Sequence, residues 1–172
     1  MAEPTAGHIV DGVHVLPVRV YWEDTDASGI VYHANYLRYF ERGRSDLLRL
    51  AGVAQGRMLG ETGVAFAVRR MRIDYQRPAR LDDALEVHTR VSAIGGASVD
   101  LAQDVRRDGE AISHADVQLA CIDGKGRARR LPGTVAAALS AGNATLLPSF
   151  SAKGRPSGPL NRRRATDKFE ES

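Results

Sequence analysis

Three carboxylates, Glu23, Asp24 and Asp26, fall within four residues of the string EDTDASG, just ahead of a segment with helical periodicity. Like charges crowded this closely disfavour full ionisation, which can prime one carboxylate as a general base. The first turn of a helix also leaves backbone N–H groups unpaired and pointing outward, where they can hold a developing oxyanion. A carboxylate beside such a turn can activate water, or attack directly, against a carbonyl held on those amides. The plainer alternative is that Asp24 or Asp26 only caps the turn or the helix. Other chemistries find less support. His8, His14, His88 and His114 are scattered without metal-ligand spacing and read as surface or packing residues, so no metal site is expected. There is no GxSxG elbow and no Walker loop, and Gly95-Gly96 and Gly124 with Gly126 read as turns.

The elements that must position these carboxylates follow from periodicity. Residues 13–22, VHVLPVRVYW, alternate apolar and polar and read as a strand, with Pro17 marking an edge position or a bulge. EDTDASG is a turn-forming cluster. From about Tyr32 to Ala51 the period is helical: Tyr36, Phe40, Gly43, Leu47 and Leu50 share one face, and Arg38, Arg42, Asp46 and Arg49 another. Arg42 and Asp46 have the spacing of an ion pair. Gly43 costs helix stability in mid-helix, which implies close packing against a sheet there.

A loop is expected over Gly52 to Gly63, then strands at about 64–76, 84–95, 97–107 and 111–123, punctuated by RPARLDD, Gly95-Gly96, Asp108-Gly109 and Asp123-Gly124. Arg127 to Leu131 reads as a short last strand, and Thr134 to Leu139 as a helical turn. Consecutive strands with one long helix predict an α+β fold, the helix lying across an antiparallel sheet. Residues 1–12 read as an N-terminal arm, 13–140 as the domain, and 141–172, with Arg162-Arg163-Arg164, as a flexible basic tail.

Composition narrows the function classes. With 43% hydrophobic residues in 172, the chain can bury a real core. No apolar run approaches the roughly 20 residues of a membrane span, and the N-terminal residues lack a secretory pattern. The single cysteine, Cys121, lies in the apolar run VQLACI and reads as a small buried hydrophobe. These features predict a cytoplasmic protein. The net charge is +3, but through Ser140 basic and acidic residues balance at 18 each, and the excess, 6 against 3, lies in the last 32. The domain itself is near neutral, so no nucleic-acid partner is expected.

The string EDTDASGIVYHANYLRYFERGR closely resembles the YbgC-like branch of the 4-hydroxybenzoyl-CoA thioesterase family, a branch often encoded beside the Tol–Pal envelope proteins. RRMRIDYQRPARLDDALEV resembles its second strand and following loop, and the similarity spans roughly residues 15–135. The resemblance implies a hotdog fold, an antiparallel sheet of about five strands wrapped around one long helix. It implies an acyl-CoA thioester hydrolase without a cofactor, acyl carrier protein being a further carrier of the substrate. It also implies homodimers or homotetramers with active sites at the subunit interface.

Residue by residue, the family's catalytic acid falls on Asp26, and its carbonyl-polarising amide on His33, whose ring is a second candidate. Glu23 and Asp24 take supporting or capping roles, while Gly29 and Tyr32 complete the motif. Arg77 and Arg80 of QRPAR, with Arg69-Arg70, are candidates for the phosphates of coenzyme A, because guanidinium groups bind phosphates bidentately. Tyr36, Phe40, Phe66 and Val68 are expected along the acyl tunnel. One departure stands out: Trp22 occupies a position where many relatives carry tyrosine, and an indole has no acceptor oxygen for proton transfer. The alternative reading is a non-catalytic acyl-binding module beside envelope machinery. Hydratase chemistry would call for a different His and carboxylate arrangement.

Overall fold

Period-two alternation builds the sheet, and the computed structural model, which describes residues 6–144, fixes its extent. The strands are β1 (His8–Val10), β2 (Val13–Arg19), β3 (Val64–Tyr75), β4 (Ala84–Ile94), β5 (Ser98–Arg107) and β6 (Glu110–Asp123). The helices are α1 (His33–Leu50), α2 (Gln55–Thr62) and α3 (Gly133–Ala144). Every strand pairing is antiparallel, in the order β1-β2-β4-β5-β6-β3. Short turns join β4, β5 and β6 as a meander, whereas β3 reaches the far edge beside β6.

The sheet has six strands rather than about five, because His8–Val10 pairs with the start of β2. Pro17 sits in β2 opposite Glu86 of β4, beyond the end of β1. Its missing N–H therefore faces an unpaired edge and costs no ladder bond. Arg127 to Leu131 forms no full strand and adds one bridge, Ala128 to Ile122. The expected loop after α1 contains α2 instead. Gly56 and Gly60 weaken its helical signal, but buried Met58 anchors it and Gly63 ends it in the left-handed region. Helix α3 includes 141–144, the first four residues of the expected tail, and the rest of that tail lies outside the described residues. No described helix is long and apolar enough to cross a membrane.

The core forms where α1 presses on β2, β4 and β5. Tyr36, Tyr39, Phe40 and Leu48 are buried from the helix, against Leu85, Val87, Leu101 and Val105 of the sheet. Gly43 marks the point of closest approach. A Cβ there would stand 2.7 Å from Val87 Cγ1 and 3.0 Å from Thr89 Oγ1. Beneath it, Gln103 Nε2 donates to Phe40 O (2.9 Å) and Thr89 Oγ1 (2.8 Å), tying the helix backbone to β4 and β5 at this contact.

Asp46 corrects the helical-face assignment: it is buried, and Arg42 is not its partner. Asp46 Oδ2 accepts from Gly7 N–H (2.8 Å) and His14 Nε2 (2.9 Å), and Oδ1 from Arg49 (3.1 Å). Burial opposes its charge, yet those three donors together hold its pKa below the ordinary carboxylate value. Burial lowers the His14 pKa, and its imidazole ties β2 to α1 through Asp46, while Gly7 N–H ties the residues ahead of β1 to the same carboxylate. Cys121 is buried, and burial pushes its thiol pKa up.

The Gly43 contact predicts opposite signs for one substitution at two helical glycines. Gly43→Ala should destabilise the fold by about 1–2 kcal/mol, overpacking stiff Val87 by more than the added helix propensity returns. Gly60→Ala, in α2 with open space around its Cβ position, should stabilise by about 0.5–1 kcal/mol. Chemical denaturation of both variants measures the two signs.

Candidate active site

The segment between β2 and α1 is held at both ends, and its middle is left to solvent. Trp22–Asp24 form one turn of 3-10 helix. The Asp24 side chain is 3% exposed, and its Oδ2 accepts from Tyr21 N–H at 2.9 Å. Its main-chain oxygen accepts from Tyr32 N–H (2.9 Å) and Asn35 Nδ2 (2.8 Å). Asp24 thus fastens the start of α1 to the end of the strand segment. Between them the chain doubles back: Asp26 N–H donates to Ile30 O, and Thr25 bridges Val31. Gly29 closes this loop at φ 75°, a conformation costly for other residues.

Asp26 projects from the loop as an exposed carboxylate. Its Oδ1 accepts from the Ser28 hydroxyl and from Ser28 N–H (2.8 Å), while Oδ2 has no partner among the described residues. The Ser28 hydroxyl, then the Ser28 amide, hold the Asp26 pKa below the ordinary value. Crowding had predicted the reverse. Asp24 turns inward and Ser28 supplies two donors, so hydrogen bonding outweighs the opposing effect of desolvation.

Beside Asp26 a cleft of about 360 Å³ is lined by Ile30, Val31, His33, Tyr36, Tyr75, Gln76, Arg77 and Pro78. Two tyrosines brace it. Tyr75 OH donates to His33 O at 3.0 Å, and Tyr36 OH accepts from Ala79 N–H at 2.9 Å. Val31 N–H donates to Ala79 O (2.8 Å), so the 76–80 loop is fixed to the segment leading into α1. His33 N–H, the first amide of the helix, meets no acceptor among the described residues.

The structure therefore brings Asp26, His33 and Arg77 to one cleft and leaves other candidates at its margin. Arg77 is paired with Glu110. Arg80 is exposed, and its N–H donates to Asp83. Tyr32 is exposed outside the lining, its ring 4.3 Å from that of His33. Trp22 is 80% exposed. Of the residues expected along an acyl tunnel, Tyr36 lines this cleft; Phe40 is core, and Phe66 lines a separate apolar gap with Leu48 and Leu101. Sequence reasoning missed Ser28, Asn35 and Tyr75. Ser28 had a signal, since a serine two residues after an aspartate favours an Asx turn. Tyr75 had none, because its partner is a main-chain oxygen 42 positions away.

Residues 20–139 match the family described as the thioesterase-like superfamily. The chain belongs to that superfamily. Among its members, the acyl-CoA thioesterase YbgC of Haemophilus influenzae is 44% identical over 131 residues, covering 76% of this chain and 96% of that protein. The acyl-CoA thioester hydrolase YbgC of Escherichia coli is 42% identical over 123 residues, covering 70% and 91%. A probable thioesterase of Bartonella henselae superposes with a TM-score of 0.67 at 40% identity, over 70% of this chain and 99% of that one. The expected family and hotdog architecture both hold, with the superfamily's long helix in α1 and its sheet in β1–β6.

The two aspartates should separate in stability. Asp24→Ala leaves a partly buried N–H unpaired and should cost about 1–2 kcal/mol. Asp26→Ala, at an exposed loop tip, should leave the denaturation midpoint nearly unchanged. Urea titrations of both variants read this directly.

Proposed function

We propose that this thioesterase superfamily member hydrolyses acyl-CoA thioesters to the free acid and coenzyme A, with Asp26 as general base or nucleophile. One observation carries the assignment to Asp26. Of the three neighbouring carboxylates, it alone lines the cleft, and its Oδ2 is left without a protein partner. Asp24 is committed to Tyr21 N–H and to holding the helix start. The thioester carbonyl would lie with its oxygen toward His33 N–H, which takes the charge that develops as the carbon becomes tetrahedral. As a base, Asp26 removes a proton from water while the water oxygen bonds to the carbonyl carbon. Collapse then breaks the C–S bond, and the departing thiolate takes up the proton. As a nucleophile, Asp26 adds to the carbonyl carbon, and the C–S bond breaks to release the coenzyme A thiolate. Water then opens the resulting mixed anhydride to the free acid and the Asp26 carboxylate, its second proton going to the thiolate. Both routes need an ionised carboxylate at this position, which suits the depressed Asp26 pKa.

The two YbgC relatives, named as acting on acyl-CoA, support coenzyme A as the carrier; acyl carrier protein is the second carrier in this reading. Arg77, at the cleft, and exposed Arg80 beside it would meet the phosphates, Arg77 by exchanging Glu110 for them. Gly29 shapes the Asp26 loop, and Tyr32, at the margin of the cleft beside His33, would meet substrate there. A single cysteine, buried as a free thiol, suits the cytoplasm in this reading.

The enzyme is a homo-oligomer in this reading. β3 is 12 residues long and pairs on one side only, with Val68 and Tyr75 exposed along it. An edge of that length invites a second copy. Light scattering should give at least twice 18.6 kDa, and a monomer mass at micromolar concentration would count against it.

Asp26→Asn keeps the shape of the side chain and removes its charge. Release of free thiol, followed across a ladder of acyl-CoA lengths, should fall at least ~10²-fold with little change in melting temperature. Asp24→Asn is the control. Retained hydrolysis in Asp26→Asn, or equal losses at both positions, would remove Asp26 from its role.

A further inference from the structure

Two consecutive peptide units at the start of α1 are gripped by their carbonyl oxygens. Asn35 N–H donates to Tyr32 O at 2.8 Å, and Tyr75 OH donates to His33 O at 3.0 Å. A trans peptide is planar, with its N–H directed opposite to its C=O. Holding Tyr32 O therefore aims His33 N–H, and holding His33 O aims Ala34 N–H. Neither amide meets an acceptor among the described residues, and both belong to the first helical turn, whose N–H groups point out of the helix start.

The two grips differ in origin. The first comes from within the helix turn itself. The second comes from the last residue of β3, 42 positions away, on a side chain that lines the cleft with Asp26 and His33. Tyr75 is itself held in place, its ring 5.4 Å from Tyr36 in an edge-on arrangement. Tyr36 in turn accepts Ala79 N–H, so the clamp is anchored in the loop that walls the cleft. Burial raises the Tyr75 pKa, so the hydroxyl stays protonated and able to donate at neutral pH. A donor on a peptide oxygen also polarises the same peptide's N–H, which strengthens the hydrogen bond that N–H can give.

We infer that Tyr75 is a positioning residue for hydrolysis, gripping the His33–Ala34 peptide so that Ala34 N–H joins His33 N–H as a second oxyanion donor. The inference rests on the reading of this cleft as the hydrolytic site. Tyr75 does not touch the reacting atoms. It acts through the peptide it orients, so its loss should weaken binding of the tetrahedral state and not of the ground-state thioester.

Tyr75→Phe removes the hydroxyl and keeps the ring. With the acyl-CoA that the wild type turns over fastest, kcat should fall about 10- to 30-fold, less than the 10²–10³-fold typical of deleting an oxyanion donor outright. KM should stay within about twofold, and the melting temperature within about 2 °C. Unchanged kcat would overturn the inference, as would a rise in KM alone or a kcat loss accompanied by a large drop in melting temperature. Asp26→Asn is assayed alongside. If that variant keeps wild-type turnover, the reading of the cleft fails, and the role of Tyr75 with it. If it is inactive while Tyr75→Phe is fully active, only the clamp is overturned.

Discussion

The close approach of α1 to the sheet at Gly43 is the constraint on which the rest of the molecule depends. Val87 and Thr89 stand where a side chain at position 43 would have to go. Only a residue without a Cβ lets the helix axis come this near, and that spacing sets the depth of the core around Phe40 and Tyr39. Contact at one point leaves a helix free to swing. Two polar ties remove that freedom. Asp46 binds Gly7, His14 and Arg49 toward the C-terminal half, and the Asp24 carbonyl holds Tyr32 and Asn35 at the N-terminal end. The first turn of α1, and with it the His33 amide, is therefore placed by the core and not by the exposed loop beside it.

Three acidic residues of similar chemistry meet three different fates within this frame. Asp24 faces inward and becomes structure. Glu23 remains on the surface. Asp26, at the loop tip, keeps one oxygen occupied by Ser28 and the other open toward the cleft. The main chain makes the distinction: the 3-10 turn directs position 24 inward, and the reversal closed by Gly29 carries position 26 out. Charge alone could not have separated them.

What the sequence made legible follows the same division between periodic and singular features. The Asp108-Gly109 turn located the β5–β6 hairpin to within a residue, and valine alternation in VHVLPVRV found β2 but ran it three residues past its end at Arg19, because period-two burial leaves a repeated signal. Gly43 was readable as a packing contact since no other reason keeps glycine inside a long helix. Helix α2 was not readable: eight residues with glycines at 56 and 60 carry too little periodicity, and the tertiary anchor at Met58 decides it. Asp46 was placed on the solvent face because its partners, Gly7 and His14, lie 39 and 32 residues away. At the site, the family resemblance nominated Asp26 and His33, which line one cleft, whereas Tyr75 and the buried orientation of Asp24 depend on side-chain packing that leaves no local trace.

The depressed Asp26 pKa sets the balance of labour in the proposed reaction. The Ser28 hydrogen bonds favour the charged form, and a carboxylate whose pKa is lowered is the weaker base. In the proposed reaction an acyl group packed against Ile30, Val31 and Pro78 would exclude water from the cleft and relieve part of that weakness. Desolvation then raises the proton affinity of the free oxygen, while Ser28 still fixes the other. The remaining barrier falls to whatever receives the negative charge on the carbonyl oxygen. A fixed pair of backbone donors at a helix start meets that demand without reorganising as the charge appears. The weaker the base, the more the rate depends on how rigidly those amides are held, and rigidity is what the Asp24, Asn35 and Tyr75 contacts supply.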